Sequence, residues 1–144
     1  MTIPTDPKKR KYMFSDDMKF LQKAVVYHPT QDKFLALQRP ANAYSRPNCW
    51  DLPGGNVIFG ENYLESLIKE IREETSLKVN EVKPIQVVTN FEKGIYYLFI
   101  GYICKATSSK IKLSEEHSSE KWVTKKEFLK LESADFLMDL VKLI

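Results

Sequence analysis

An α/β architecture, a mixed central sheet with helices on its faces, is the fold class that this 144-residue sequence predicts. Three observations carry it. Short runs rich in β-branched and aromatic residues are interleaved with stretches of helical period. One stretch sets Leu64, Leu67, Ile68 and Ile71 at helical spacing, a stripe suited to face a core. The length suits one domain with a single sizeable core.

Residues 1–17 read as an irregular arm, with Pro4, Pro7 and the basic run Lys8-Lys9-Arg10-Lys11, ahead of one domain over 18–144. Residues 20–27 are apolar and β-branched and predict a strand. His28-Pro29-Thr30-Gln31-Asp32 is a turn, and 34–38 is the returning strand of a hairpin. Residues 39–48 are a polar loop, and Trp50-Asp51-Leu52 is a short strand entering Gly54 and Gly55. After the helix, 82–91 and 95–104 predict a second hairpin around Glu92-Lys93-Gly94. Lys121-Trp122-Val123 is a last short strand. Residues 125–131 and 134–144 predict helices, the second with Leu137, Leu140 and Val141 as its buried stripe.

Composition excludes several classes. A net charge of +3, from 22 basic and 19 acidic residues, is too small to imply nucleic-acid binding. The basic run in the arm reads as a solvated tail. No run approaches the ~20 apolar residues of a membrane span, and the N-terminus has no secretory apolar core. Cys49 and Cys104 lack metal-ligand spacing and read as reduced thiols of a cytoplasmic protein.

Within the helical stretch, Glu70, Glu73 and Glu74 stand at i, i+3 and i+4 and share one side of the helix, with Glu65, Lys69 and Arg72 toward solvent. Such like charges repel by a few tenths of a kcal/mol per pair. A hard divalent cation, Mg²⁺ above all, would relieve that repulsion. Gly54 and Gly55 suit a tight strand-to-helix turn that a ligand can approach closely. Alone, the acid run would read as a solvated helix face. Pro53-Gly54-Gly55 and Gly60-Glu61 ahead of it reverse that reading.

With this spacing the chain resembles the Nudix hydrolase family. The family's box runs Gly, five residues, Glu, seven residues, Arg-Glu, an aliphatic, any residue, Glu-Glu, any residue, Gly, an aliphatic. Gly55 and Glu61 open the match, and Lys69-Glu70-Ile71-Arg72-Glu73-Glu74-Thr75-Ser76-Leu77 completes it over 23 positions. Two positions depart. Lys69 replaces Arg, keeping the charge and losing the planar fork; the helical wheel places it away from the acids, which makes any aid to Glu70 indirect. Ser76 replaces the second Gly, where a left-handed residue costs on the order of 1 kcal/mol without glycine. Trp50-Asp51-Leu52-Pro53-Gly54-Gly55 and Leu37-Gln38-Arg39 also look familial.

The resemblance implies an α/β/α sandwich and hydrolysis of a nucleoside diphosphate linked to another moiety, by water attack on phosphorus with Mg²⁺ or Mn²⁺. It makes Glu73 and Glu74 the main metal ligands. Glu70 is a further ligand, or orients or deprotonates the water. Gly54 offers its carbonyl to the metal, and Gly55 and Glu61 support the substrate side. A later acid completes such sites in the family: Glu115, Glu116 and Glu120 are the candidates, with Glu116 favoured as a ligand, Glu120 next, and a solvated loop as the alternative. The chemistry is consistent, because attack on a polyanionic pyrophosphate needs charge neutralisation and a proton acceptor.

Arg39 suits a substrate phosphate, with a surface salt bridge as the alternative. Tyr44, Phe91, Tyr96 and Trp122 either stack on a base or belong to the core, as most strand aromatics do; Trp122 is retained as a substrate-binding candidate. His117 either touches substrate or, the commoner case, is a surface-loop histidine, and His28 reads as a turn residue. The short chain favours a nucleoside triphosphate, cleaved to monophosphate and pyrophosphate. ADP-ribose or a nucleotide sugar is second. A catalytically inactive Nudix-fold module is third, supported only by Lys69 and Ser76. Beyond a small nucleotide, the partner the resemblance suggests is a second copy, since small domains of this kind often form homodimers.

Overall fold

The computed structural model describes residues 17–144, so most of the expected arm, including its basic run, lies outside the described residues. Seven strands make one mixed sheet: β1 (Met18–Tyr27), β2 (Phe34–Gln38), β3 (Trp50–Asp51), β4 (Gly54–Asn56), β5 (Val79–Glu92), β6 (Ile95–Ala106) and β7 (Ser119–Val123). The helices are α1 (Tyr63–Thr75), α2 (Lys125–Phe128) and α3 (Asp135–Lys142).

β1 is the centre. It runs parallel to β6 in unbroken register from Met18↔Tyr96 to Tyr27↔Lys105, while the other strand pairings are antiparallel. Its other edge is shared. β2 meets it at Tyr27↔Phe34, and β4 takes the same edge from Leu21↔Asn56 to Lys23↔Gly54. β2 then turns to β3 and β7 as its partners. The parting of β2 from β4 along one edge of β1 opens the molecule's main cleft.

Alternation along β1 divides the core. Ala24 and Val26 face α1 with Leu67, Ile71 and Leu77, whereas Val25 faces α2 and α3 with Phe128, Leu137, Leu140 and Val141. A strand covered on both faces reads as a continuous apolar run, which Ala24-Val25-Val26 is. The expected α/β/α sandwich is the observed one.

Four local expectations change. Gly54 and Gly55 form strand β4 rather than the turn, and the turn falls at 57–62. Leu64 is exposed, and the buried face of α1 is Ser66, Leu67, Ile71, Glu74 and Thr75. Beneath its first turn stands Gln22, fully buried, whose Nε2 donates to the Tyr63 carbonyl at 2.7 Å and whose Oε1 accepts from the Tyr102 hydroxyl. A polar group under that turn leaves Leu64 no core to enter. The second hairpin is longer than expected, closed by Lys93-Gly94 with positive φ at both residues, as a two-residue turn of matching twist requires. α2 is shorter than the expected 125–131.

Candidate active site

The cleft holds about 560 Å³ and is bounded by β1, β3, β4 and the loop after β2. Its lining carries both signs of charge: Lys19 and Lys23 on β1 with Arg39 and Arg46 from the loop, and Asp51, Glu74 and Glu116. Gly54 and Gly55 also line it.

Glu74 is 3% exposed, and its Oε1 accepts the Gly54 backbone N–H at 2.8 Å. Burial pushes its carboxyl up to about 8, against the opposing pull of the Lys23 charge and that hydrogen bond. Gly54 makes the contact possible. Its φ is +138°, and a Cβ there would lie 2.1 Å from the Gln22 carbonyl oxygen. Gly55 admits Glu70, since a Cβ would stand 3.0 Å from its Oε2. Burial raises the Glu70 carboxyl too, with the charges of Glu73, Glu116 and Glu61 adding to it.

Backbone bonds bring the late loop to these acids. Lys112 N–H donates to Thr75 O at 3.0 Å and Ser114 N–H to Glu74 O at 3.1 Å, which satisfies two terminal carbonyls of α1. Ser118 N–H donates to Gln38 O at 2.9 Å and ties the loop's other end to β2. Between these anchors sit Glu116 and His117. The side chain of His117 is 4% exposed, and its Nδ1 stands 3.9 Å from Glu74 Oε2 with no hydrogen-bond partner among the described residues. Burial holds the imidazole below its ordinary pKa, so it is neutral at pH 7. The expected surface histidine is therefore a buried one, drawn in by the two loop anchors.

Beside them lies an ion group absent from the sequence reading. Asp51, 2% exposed, meets Lys23 Nζ at 3.1 Å and Arg39 Nη1 at 3.4 Å, and accepts the Leu52 N–H at 2.7 Å. Burial alone would raise its carboxyl; Lys23 and these hydrogen bonds bring it below the usual range. Arg39 also donates from Nε to the Ser45 carbonyl at 2.9 Å and so pins the loop that carries Tyr44 and Arg46.

The donor chemistry fits a divalent cation. One donor atom each from Glu74, Glu116 and His117 lie within 4.8 Å of one another, and two of the three side chains are carboxylates, as hard cations prefer.

Comparison with known proteins places the chain in a family. The family model of the NUDIX domain matches residues 20–142. The chain belongs to the NUDIX family. An m7GpppN-mRNA hydrolase, NUDT17, from Xenopus laevis is 39% identical over 59 residues, 41% of this chain and 20% of that protein. A nucleoside triphosphatase, NudI, from an Enterobacter strain is 32% identical over 90 residues, 55% of this chain and 64% of that protein. The matches thus span less than two thirds of these relatives. The crystal structure of a MutT protein from Methanosarcina mazei shares the fold, with a TM-score of 0.72 at 24% identity over 90% of this chain and 94% of that one.

The NUDIX residues singled out in the sequence fall into two groups. Gly54, Gly55, Glu74, Glu116 and Arg39 line the cleft, and Glu70 lies against Gly55. Glu61, Glu73, Glu120 and Trp122 are outside its lining. Glu61 accepts the Ile58 N–H at 2.8 Å and stands 3.8 Å from Lys69 Nζ, bracing the turn before α1. Glu73, with a side chain 55% exposed, lies 3.9 Å from the same Lys69 Nζ. Lys69 is therefore among the acids rather than away from them, because i and i+4 adjoin on a helix and its stem is long. Glu120 is exposed on β7 opposite Leu37, and Glu115 is exposed beside Glu116. Trp122 alternates inward, packing against the α1-side core and 4.9 Å from the His28 ring. Phe91 is on the exposed end of β5. Ser76 adopts the left-handed conformation expected of it, φ 64°, and its Oγ donates to Lys112 O at 3.3 Å.

Asp51, Lys23 and the burial of His117 escaped sequence reading. The available signals were Gln22-Lys23 interrupting an apolar strand and Asp51 set between Trp50 and Leu52.

Proposed function

We propose that this NUDIX chain is a metal-dependent pyrophosphohydrolase that cleaves a nucleoside triphosphate to the monophosphate and pyrophosphate. The observation that carries this reading is one cleft lined both by bases, Lys19, Lys23, Arg39 and Arg46, and by the acids Glu74 and Glu116. The bases bind phosphate oxygens directly, arginine by its fork and lysine as a point charge. Asp51 offsets part of the charge of Lys23 and Arg39. Glu74 and Glu116 hold a divalent cation, Mg²⁺ or Mn²⁺, with Glu70 beside them. When bound, the cation supplies neutralisation of the phosphoryl oxygens and a lower pKa for water.

Glu70, already held above the usual carboxylate range, is the proton acceptor. A water oxygen attacks one phosphorus flanking the α,β-bridging oxygen, the P–O bond to that oxygen breaks, and the water proton passes to Glu70. The triphosphatase among the relatives supports the substrate class. The non-catalytic alternative rested on Lys69 and Ser76, and both fit their places without displacing an acid from the cleft. The test is incubation with Mg²⁺ or Mn²⁺ and a panel of nucleoside triphosphates, ADP-ribose and nucleotide sugars, with Glu74→Gln as control. Monophosphate and pyrophosphate that vanish in the variant are expected. Cleavage of ADP-ribose or a nucleotide sugar alone would move the substrate class, and no turnover of any compound would remove the enzyme reading.

A further inference from the structure

We propose that His117 is a nitrogen ligand of the divalent cation in this cleft, and that it biases the site toward Mn²⁺ over Mg²⁺. The inference rests on the metal-dependent reading above and adds a ligand type to it. Its first support is the orphaned Nδ1. The His117 side chain is 4% exposed, and that nitrogen has no hydrogen-bond partner among the described residues. A buried nitrogen without a partner costs free energy unless something meets its lone pair.

The second support is proximity. Nδ1 stands 3.9 Å from Glu74 Oε2, with a Glu116 donor in the same group. Ligands held about 2.1 Å from an octahedral ion stand about 3 Å apart in cis. Closing the pair by about 0.9 Å, within the reach of two side chains on separate elements, brings both onto one ion. The third support is anchoring. The Ser114 N–H bond to Glu74 O and the Ser118 N–H bond to Gln38 O fix the loop on both sides of His117. Mg²⁺ demands near-ideal octahedral oxygen ligands and gives up its waters reluctantly, whereas Mn²⁺, although oxygen-preferring, belongs to the first-row series that also takes nitrogen. Exchanging one oxygen for an imidazole nitrogen therefore penalises Mg²⁺ more than Mn²⁺.

The experiment uses Mn²⁺ alone as the probe, with electron spin-echo spectroscopy on the full chain and isothermal titration of Mn²⁺ and Mg²⁺. The wild type is expected to show a directly bound ¹⁴N coupling that changes to ¹⁵N on histidine labelling. His117→Gln should keep a Mn²⁺ signal, lose the nitrogen coupling and lose roughly tenfold of the Mn²⁺-over-Mg²⁺ preference. His28→Gln should change nothing, since His28 Nδ1 already accepts from the Thr30 and Gln31 N–H groups. If His117→Gln fails to fold, the labelled wild-type spectrum decides alone. Bound Mn²⁺ without nitrogen coupling would overturn the inference and leave the hydrolase reading intact. Loss of the coupling in His28→Gln would overturn it also. A wild type that binds neither ion would overturn both.

Discussion

Glu74 is an acid that the folded chain holds largely uncharged at neutral pH. Its carboxyl is pushed up to about 8 by burial, from an ordinary value near 4.5. Below about pH 4.5 both folded and unfolded chains carry the proton, and the group costs nothing. As pH rises from there to about 8, the unfolded chain ionises first and stability falls; above 8 the loss is complete. Glu74→Gln removes this loss and keeps an oxygen for the Gly54 N–H. Without divalent ions it should stabilise the protein by about 2 kcal/mol near pH 8, with Tm up by about 5 °C, and leave Tm unchanged at pH 4. Thermal melts at the two pH values check this. Asp51 behaves oppositely, because Lys23 holds it ionised. Asp51→Ala strands a buried lysine and should cost about 3–5 kcal/mol in urea unfolding. The box acids were legible because their spacing is local. Asp51, Lys23 and His117 were not, since each is defined by a partner on another element, and a lone polar residue in an apolar strand does not announce that partner.

At the scale of the element, α1 is set by its ends. Asn62 Oδ1 accepts the Leu64 and Glu65 N–H groups at 3.0 Å each, and Ser76 closes the helix in the left-handed conformation. Ser76→Gly relieves that backbone and gives up only a 3.3 Å bond to Lys112; a gain of about 0.5 kcal/mol in chemical denaturation is expected. Lys69→Ala should cost no more than about 0.5 kcal/mol in the same measurement, since its ion pairs are loose and half exposed. Gly54→Ala is of another order. It meets the Gln22 carbonyl at 2.1 Å in a backbone conformation closed to alanine, and a loss of at least ~3 kcal/mol should appear as a collapsed urea midpoint. Periodicity was enough to place this helix, and it missed the helix's rotation. The displaced burial of Leu64 and Ser66 depends on Gln22 beneath the first turn, 41 positions before the Tyr63 carbonyl it meets. The strand at Gly54 was illegible for a related reason: glycines carry no strand propensity, and β4 exists because β1 pairs with it.

For the whole molecule, the interleaved order of strands and helices was readable, and the layered architecture followed from it. The sheet's connectivity was not. β1 and β6 pair in parallel across nearly eighty positions, and such a pairing leaves no trace in either segment. The same is true of β2, which shares its partner's edge with β4 and so creates the cleft.

That central pairing also sets the order of events during synthesis. The 18–27 segment leaves the ribosome well before the 96–105 segment it must join. At 5–20 residues per second the wait is roughly 4–16 seconds, with that edge of an apolar strand unpaired throughout. Lys19, Gln22 and Lys23 interrupt that strand, and charges so placed oppose self-association of the nascent chain. Lys19 and Lys23, which line the cleft of the finished protein, therefore act as guards in the unfinished one. Lys19→Leu should lower the soluble fraction in cell-free translation more than it lowers the stability of protein already folded, and the two measurements together separate these roles.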